Sequence, residues 1–152
     1  MISPILYGRT VVMDRNNAKE LLLEKGYTCV LCRGEQVYTS TLRGVKPLVQ
    51  WVESGMDLSG FSAADKVVGK ATAYLYVLLG IRELYDHVIS KSALGVLREQ
   101  GIHVTYGTLS EHIINRAGDG ICPFEAAVTD ISEPQAAYTA IRAKMREMNI
   151  TL

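Results

Sequence analysis

Neither sign of charge is in excess: lysine plus arginine and aspartate plus glutamate count 16 each. Such a balance gives no broad field toward nucleic acid or an acidic membrane surface, so neither is expected as a partner. No apolar run approaches the ~20 residues that span a bilayer. The first residues lack the basic start and apolar core of an export signal. Cysteine is scarce, with three in 152 residues, too few for a disulfide framework. Without export, a reducing cytoplasm is the expected compartment. Histidine is equally scarce, with three, and none has partners at metal-ligand spacing. No Gly-x-Ser-x-Gly or Gly-x-Gly-x-x-Gly is present. Gly69-Lys70 looks like the end of a P-loop, but Ala64 and Ala71 stand where that motif needs glycine and Ser/Thr.

What is present is an ordinary globular composition, 48% hydrophobic and 21% charged, in a chain long enough for one domain with a real core. Residues 1–13 read as a poorly anchored leader and 14–152 as a single domain. One stretch dominates, DLSGFSAADKVVGKATAYLYVLLG from Asp57 to Gly80. Apolar residues recur at Ala64, Val67, Val68, Ala71, Leu75, Leu78 and Leu79, the spacing of a helix face. Ser62 with Asp65 has the form of a capping box, and Gly80 that of a helix stop. The stretch therefore predicts a helix from Ala63 to Leu79. A second stripe, Ser62, Asp65, Gly69, Thr72 and Tyr76, would line its polar side. Lys66 and Lys70 would stand one turn apart, a like-charge pair eased by a nearby anion.

Along the rest of the chain, Asp14 opens a helix that ends at Gly26. Tyr27–Cys32 and Gln36–Ser40 form a hairpin turned by Arg33-Gly34-Glu35. A short helix begins at Gly44-Val45-Lys46-Pro47 and stops at Gly55. Glu83–Ile89 is a strand, Ser90–Gln100 a helix and Ile102–Tyr106 a strand. Thr108 and Glu111 form a second capping box, for a helix through Ile113 and Ile114. Gly118-Asp119-Gly120 is a turn, PFEAAV from Pro123 is a short helix, and Ser132 caps the last helix, to about Met148. A hairpin followed by two strand–helix–strand crossovers implies an α/β fold with a mixed sheet of four to five strands and helices on both faces. Ligands in such sheets collect beyond the carboxyl ends of the parallel strands, here expected near Ser90 and Gly107.

GYTCVLCRGEQVYTSTLRGVKPL, the dominant stretch and GDGICPFEAAVTDI together resemble a family of uncharacterised proteins grouped with the cytidine deaminase-like superfamily. The resemblance spans about residues 15–148 and implies a three-layer α/β/α sandwich. Deaminases of that superfamily hold zinc with His/Cys-x-Glu at one helix start and Pro-Cys-x-x-Cys at the next. By topology those positions fall near Ala64-Asp65-Lys66 and Ser90-Lys91-Ser92, and neither carries the pattern. No zinc at that position, and no other cofactor, is therefore expected. The superfamily also has members that work without that zinc.

Cys122 precedes Pro123 and so reads as the N-cap of a short helix, where the helix dipole favours a thiolate. Asp119 and Glu125 oppose this, so a nucleophilic Cys122 would need Lys66 or Lys70. The plainer alternative is a small buried residue, with Glu125 as a cap. Cys122, Glu125, Asp119 and Asp65 could instead hold a divalent cation. Cys29 and Cys32 have redox spacing, but three apart on a strand they point to opposite faces and read as core. The leading expectation is a zinc-free small-molecule site for a nucleotide or another anionic metabolite. Asp65, Lys66 and Cys122 would carry its chemistry, and Ser62, Gly69, Lys70, Asp119 and Glu125 would bind ligand. The rivals are a non-catalytic binding or regulatory module and a redox-responsive protein acting through Cys122. Homo-oligomer formation is left open.

Overall fold

The computed structural model describes residues 4–115 and 117–152, with side chains from Asp14 onward. In chain order the elements are α1 (Pro4–Lys25), β1 (Cys29–Arg33), β2 (Gln36–Ser40), α2 (Lys46–Ser54), β3 (Ser62–Val68), α3 (Lys70–Leu79), β4 (Glu83–Ser90), α4 (Lys91–Glu99), β5 (His103–Ser110), α5 (Pro123–Val128) and α6 (Pro134–Glu147). One sheet runs in the order β2-β1-β3-β4-β5. The pairs β1–β2 and β1–β3 are antiparallel, while β3–β4 and β4–β5 are parallel. The sheet is thus mixed and five-stranded.

Each face of the sheet has its own core. Ala18 and Leu22 of α1 pack on Val30, Cys32, Ala64 and Tyr85. The opposite face carries the larger core, where Leu31, Ala63 and Leu84 meet Leu48, Leu75, Leu97 and Ile141 from α2, α3, α4 and α6. Helix, sheet and helix make the expected three-layer α/β/α sandwich. Cys29 lies in the larger core and Cys32 in the smaller, so the two sulfurs diverge as strand geometry requires.

The expected helix from Ala63 to Leu79 is not one element. Its first part is β3, the central strand, and the helix begins only at Lys70. The physical reason is double burial. A central strand with a parallel neighbour is covered on both faces, so Ala63 and Ala64, one on each face and both fully buried, give no period-two alternation. Small residues in a row then imitate a helix. Ser62 and Asp65 are strand residues and cap nothing, and Lys66 and Lys70 do not share a helix face. Gly80 does end α3, in the left-handed conformation at φ 76°.

Three other boundaries differ. The helix expected from Asp14 begins at Pro4, inside the segment read as a leader. Strand β5 continues through Thr108 to Ser110, because β4 offers partners as far as Ser90. The capping box at Thr108 and Glu111 therefore starts no helix, and Ile114 instead bridges to Ile121. Glu133, not Ser132, is the residue at the cap of α6.

Candidate functional site

One cleft of ≈940 Å³ opens where β3 ends and β1 begins. Thr28 and Cys29 of the β1 end, Asp65, Lys66 and Val67 of β3, and Gly69, Ala71 and Thr72 at the start of α3 form one side. The start of α2, the Ile113–Asn115 segment and Cys122–Glu125 close it. The carboxyl-end rule holds for β3 only. The expected positions near Ser90 and Gly107 do not line this cleft.

Asp65 sits on its floor. It is 8% exposed and faces α3, whose Tyr76 is fully buried above it. The Tyr76 hydroxyl donates to Asp65 Oδ2 at 2.6 Å, and the Val67 N–H donates to Oδ1 at 3.1 Å. Cys29 Sγ lies 3.0 Å from the Tyr76 oxygen. A tyrosine has one hydroxyl proton, and Asp65 takes it, so the thiol is the donor to Tyr76. The order is Cys29 S–H to Tyr76 O–H to Asp65.

Burial controls the ionisation of all three. It lifts the Asp65 carboxyl from 3.8 to about 7, against the opposing hydrogen bonds from Tyr76, Val67 and Lys66. Burial likewise pushes the Tyr76 phenol and the Cys29 thiol well above their ordinary values, with the nearby Asp65 charge adding to both. The floor is thus a carboxyl that exchanges its proton near neutrality, beside a phenol and a thiol that keep theirs.

Glu125 acts elsewhere than expected. Its carboxylate reaches across from α5 to the start of α3, accepting from Lys70 N at 2.8 Å and Ala71 N at 3.1 Å. These are free donors that a helix start would otherwise offer a ligand. Gly69, the N-cap of α3, leaves the room for this contact.

Of the residues expected at a site, Asp65, Lys66, Gly69, Cys122 and Glu125 line this one cleft. Ser62 opens β3 and does not line it. The Lys70 ammonium turns to the Thr129 carbonyl, at 3.0 Å. Asp119 pairs with Asn115, whose amide donates to it at 2.9 Å. Cys122 is the N-cap of α5, as expected, and half-buried, but α5 has six residues and so a small dipole. The convergence of two anion-ready helix starts is not found. One is occupied by Glu125 and the other is short.

A zinc ion does not fit these residues. Ala64-Asp65-Lys66 lies inside a strand, and Ser90-Lys91-Ser92 opens α4 away from the cleft. The consecutive helices that do open on the cleft, α2 and α3, begin Val45-Lys46-Pro47 and Gly69-Lys70-Ala71, with no His, Cys or Glu. Among the described residues, no three His, Cys, Asp or Glu side chains are arranged to hold a metal ion.

Cys29 is a core residue, as its strand spacing implies, and its contact with Tyr76 is what the sequence does not show; Asp86 carries no motif, and Tyr76 meets Asp65 from a different element rather than from one helix stripe. The available signal for Asp86 is an acid in the interior of the strand ELYDHVIS, away from its ends.

Among the described residues no helix is long and apolar enough to cross a membrane. The fold is shared with a crystal structure of a DUF1893 family protein from Thermotoga maritima, at TM-score 0.76 and 23% identity over 97% of this chain and 92% of that one. Weaker similarity reaches the dCMP deaminase of cyanophage S-TIM5, at TM-score 0.41 and 11% identity over 72% of this chain and 100% of that one. It also reaches a diaminohydroxyphosphoribosylaminopyrimidine deaminase/5-amino-6-(5-phosphoribosylamino)uracil reductase from Thermotoga maritima, at TM-score 0.39 and 14% identity over 80% of this chain and 42% of that one. No curated protein matches the sequence. The family model of the domain of unknown function DUF1893 matches residues 17–145, and the chain belongs to that family.

Proposed function

We propose that the cleft binds a small anionic metabolite, nucleotide-like in having a flat apolar body and a negative group, and that Asp65 is its general acid–base. The observation that carries this reading is Asp65 itself, a carboxyl on the floor of a cleft with a pKa raised to about 7 by burial. A general acid–base works best when its pKa lies near the operating pH. Buried groups shifted this far and facing a cleft are enriched at functional sites.

The charges around it suit an anion. The cleft's acids are Asp65 and Glu125, both buried, and Glu125 is committed to α3. The lining cations are Arg43, Lys46 and Lys66. A negative group would therefore rest at the mouth, on Lys66 and its two neighbours across the cleft. The apolar body would lie against Phe124, Ile113 and Ile150. Cys122, which lines the wall, would meet the ligand as nucleophile or acid/base group. Three unpaired thiols suit a reducing cytoplasm.

Thermal-shift and calorimetric titrations with nucleoside 5′-monophosphates and the parent nucleosides test this. Monophosphates should bind and the nucleosides should bind at least tenfold more weakly. Lys66→Ala combined with Lys46→Ala should erase that difference. Binding that persists unchanged in Asp65→Asn, with no reaction on any bound probe, would favour a non-catalytic binding module. Equal affinity for both probe classes would overturn the anionic reading.

A further inference from the structure

Asp86 lies in the middle of β4 and is 0% exposed. Neither of its carboxyl oxygens has a hydrogen-bond partner among the described residues. An unsatisfied buried carboxyl is costly and demands a physical account. Sheet register supplies one. Cys29 pairs with Asp65, Asp65 with Asp86, and Asp86 with Tyr106. Directly paired residues share a face, so these four side chains form one row across β1, β3, β4 and β5. Neighbouring strands stand about 4.8 Å apart, so Asp86 is next to Asp65 and one strand further from the cleft.

Among the described residues, no cation is paired with Asp86. Cys29 from β1, Tyr106 from β5 and Tyr76 from α3 share the pair's side of the sheet. On β4, His87 belongs to the other face, with its Nδ1 3.4 Å from the Tyr85 hydroxyl. No ion pair to either carboxyl exists among the described residues. Two neighbouring buried carboxyls without a cation cannot both ionise.

We propose that Asp65 and Asp86 form a carboxyl pair that carries a single negative charge once Asp65 has ionised, with Asp86 keeping its proton behind Asp65. Asp86 is then a positioning residue for the acid–base group of the cleft. The coupling is electrostatic: no Asp86 oxygen has a hydrogen-bond partner among the described residues, so the proton stays on Asp86 and the Asp65 charge acts on it through the buried interior. Its use on a ligand rests on the cleft reading given above; the pair itself does not. Burial and the Asp65 charge both favour the neutral form of Asp86, in line with this arrangement.

Infrared difference spectra of the full-length protein test the pair without any ligand. At pH 8 the native protein should show the carbonyl stretch of a protonated carboxylic acid, and Asp86→Asn should lose it. The second readout is the pH dependence of unfolding. One proton held by the native state and not by the unfolded one makes the unfolding constant rise tenfold per pH unit between pH 7 and 9. Asp86→Asn should remove that factor of ten. Should the variant not fold, proton release on unfolding the native protein at pH 8 decides alone: about one proton supports the pair, and none overturns it. No acid band in the native protein, or an undiminished band in Asp86→Asn, overturns it too. An acid band with no binding of monophosphates would leave the pair standing and remove the cleft reading.

Discussion

The carboxylate of Glu125 occupies the space that any side chain at position 69 would enter. A Cβ placed on Gly69 would lie 2.1 Å from Glu125 Oε1 and 2.4 Å from its Cδ. The backbone of Gly69 is extended, so the need for glycine there is one of space alone. Gly69→Ala must push Glu125 away from Lys70 N and Ala71 N. Leaving buried donors unmatched costs about 1–3 kcal/mol, and that loss is expected in denaturant unfolding. In an Glu125→Ala background the same substitution should cost much less. Equal costs in both backgrounds would show that the two positions do not communicate.

Stability should fall as pH rises because of Asp65. Its folded pKa, about 7, lies above the unfolded value near 3.8. The native state thus binds the proton more tightly than the unfolded chain does. The contribution is fully present below about pH 4 and is lost as pH climbs through 7. A rise of this size corresponds to roughly 4 kcal/mol. Asp65→Asn, with no charge to desolvate, should gain on the native protein between pH 5 and 8 in chemical unfolding. A variant that loses stability equally at all pH values would mean Asp65 titrates normally.

Tyr76→Phe should raise the apparent pKa of Asp65 further. The phenol stabilises the charged carboxylate through the 2.6 Å bond, and its loss leaves desolvation unopposed on that oxygen. The variant also leaves the Cys29 thiol without its acceptor. A drop or no change in the Asp65 midpoint would contradict the bond's direction.

Cys122 should alkylate faster than Cys29 and Cys32 in native protein. Cys29 is buried with its thiol pushed well up, and burial raises Cys32 to about 11. Cys122 is half-buried on the cleft wall. Mass spectrometry after brief iodoacetamide treatment at pH 7.5 reads the order. Equal slow labelling of all three would make Cys122 a packing residue.

Much of this was readable in the residues. The hairpin, α2 with its Gly55 stop, β4, α4 and α5 follow from turn chemistry and period. A mixed sheet with helices on both faces follows from their order, and the three-layer sandwich from the family resemblance. Asp65, Lys66, Gly69, Cys122 and Glu125 were named from the sequence, and all line one cleft. The reasons attached to them were less secure. A doubly buried strand of small residues carries no alternation, so SAADKVV read as a helix and Asp65 as a cap. That one error moved Ser62 and Lys70 into the site. Glu125 was read as capping its own helix because sequence proximity is visible, whereas a carboxylate fifty-five positions away from Lys70 N is not. Asp86 is not legible in the sequence because its place comes from strand register, and register depends on the whole sheet.

The central claim is that Asp65 ionises near neutrality on the cleft floor. The most direct measurement is a ¹³C NMR titration of aspartate-labelled protein, with the Asp65 carboxyl resonance assigned by its absence in Asp65→Asn. A midpoint near 7 is expected. A midpoint near 4, the ordinary aspartate value, would contradict the account.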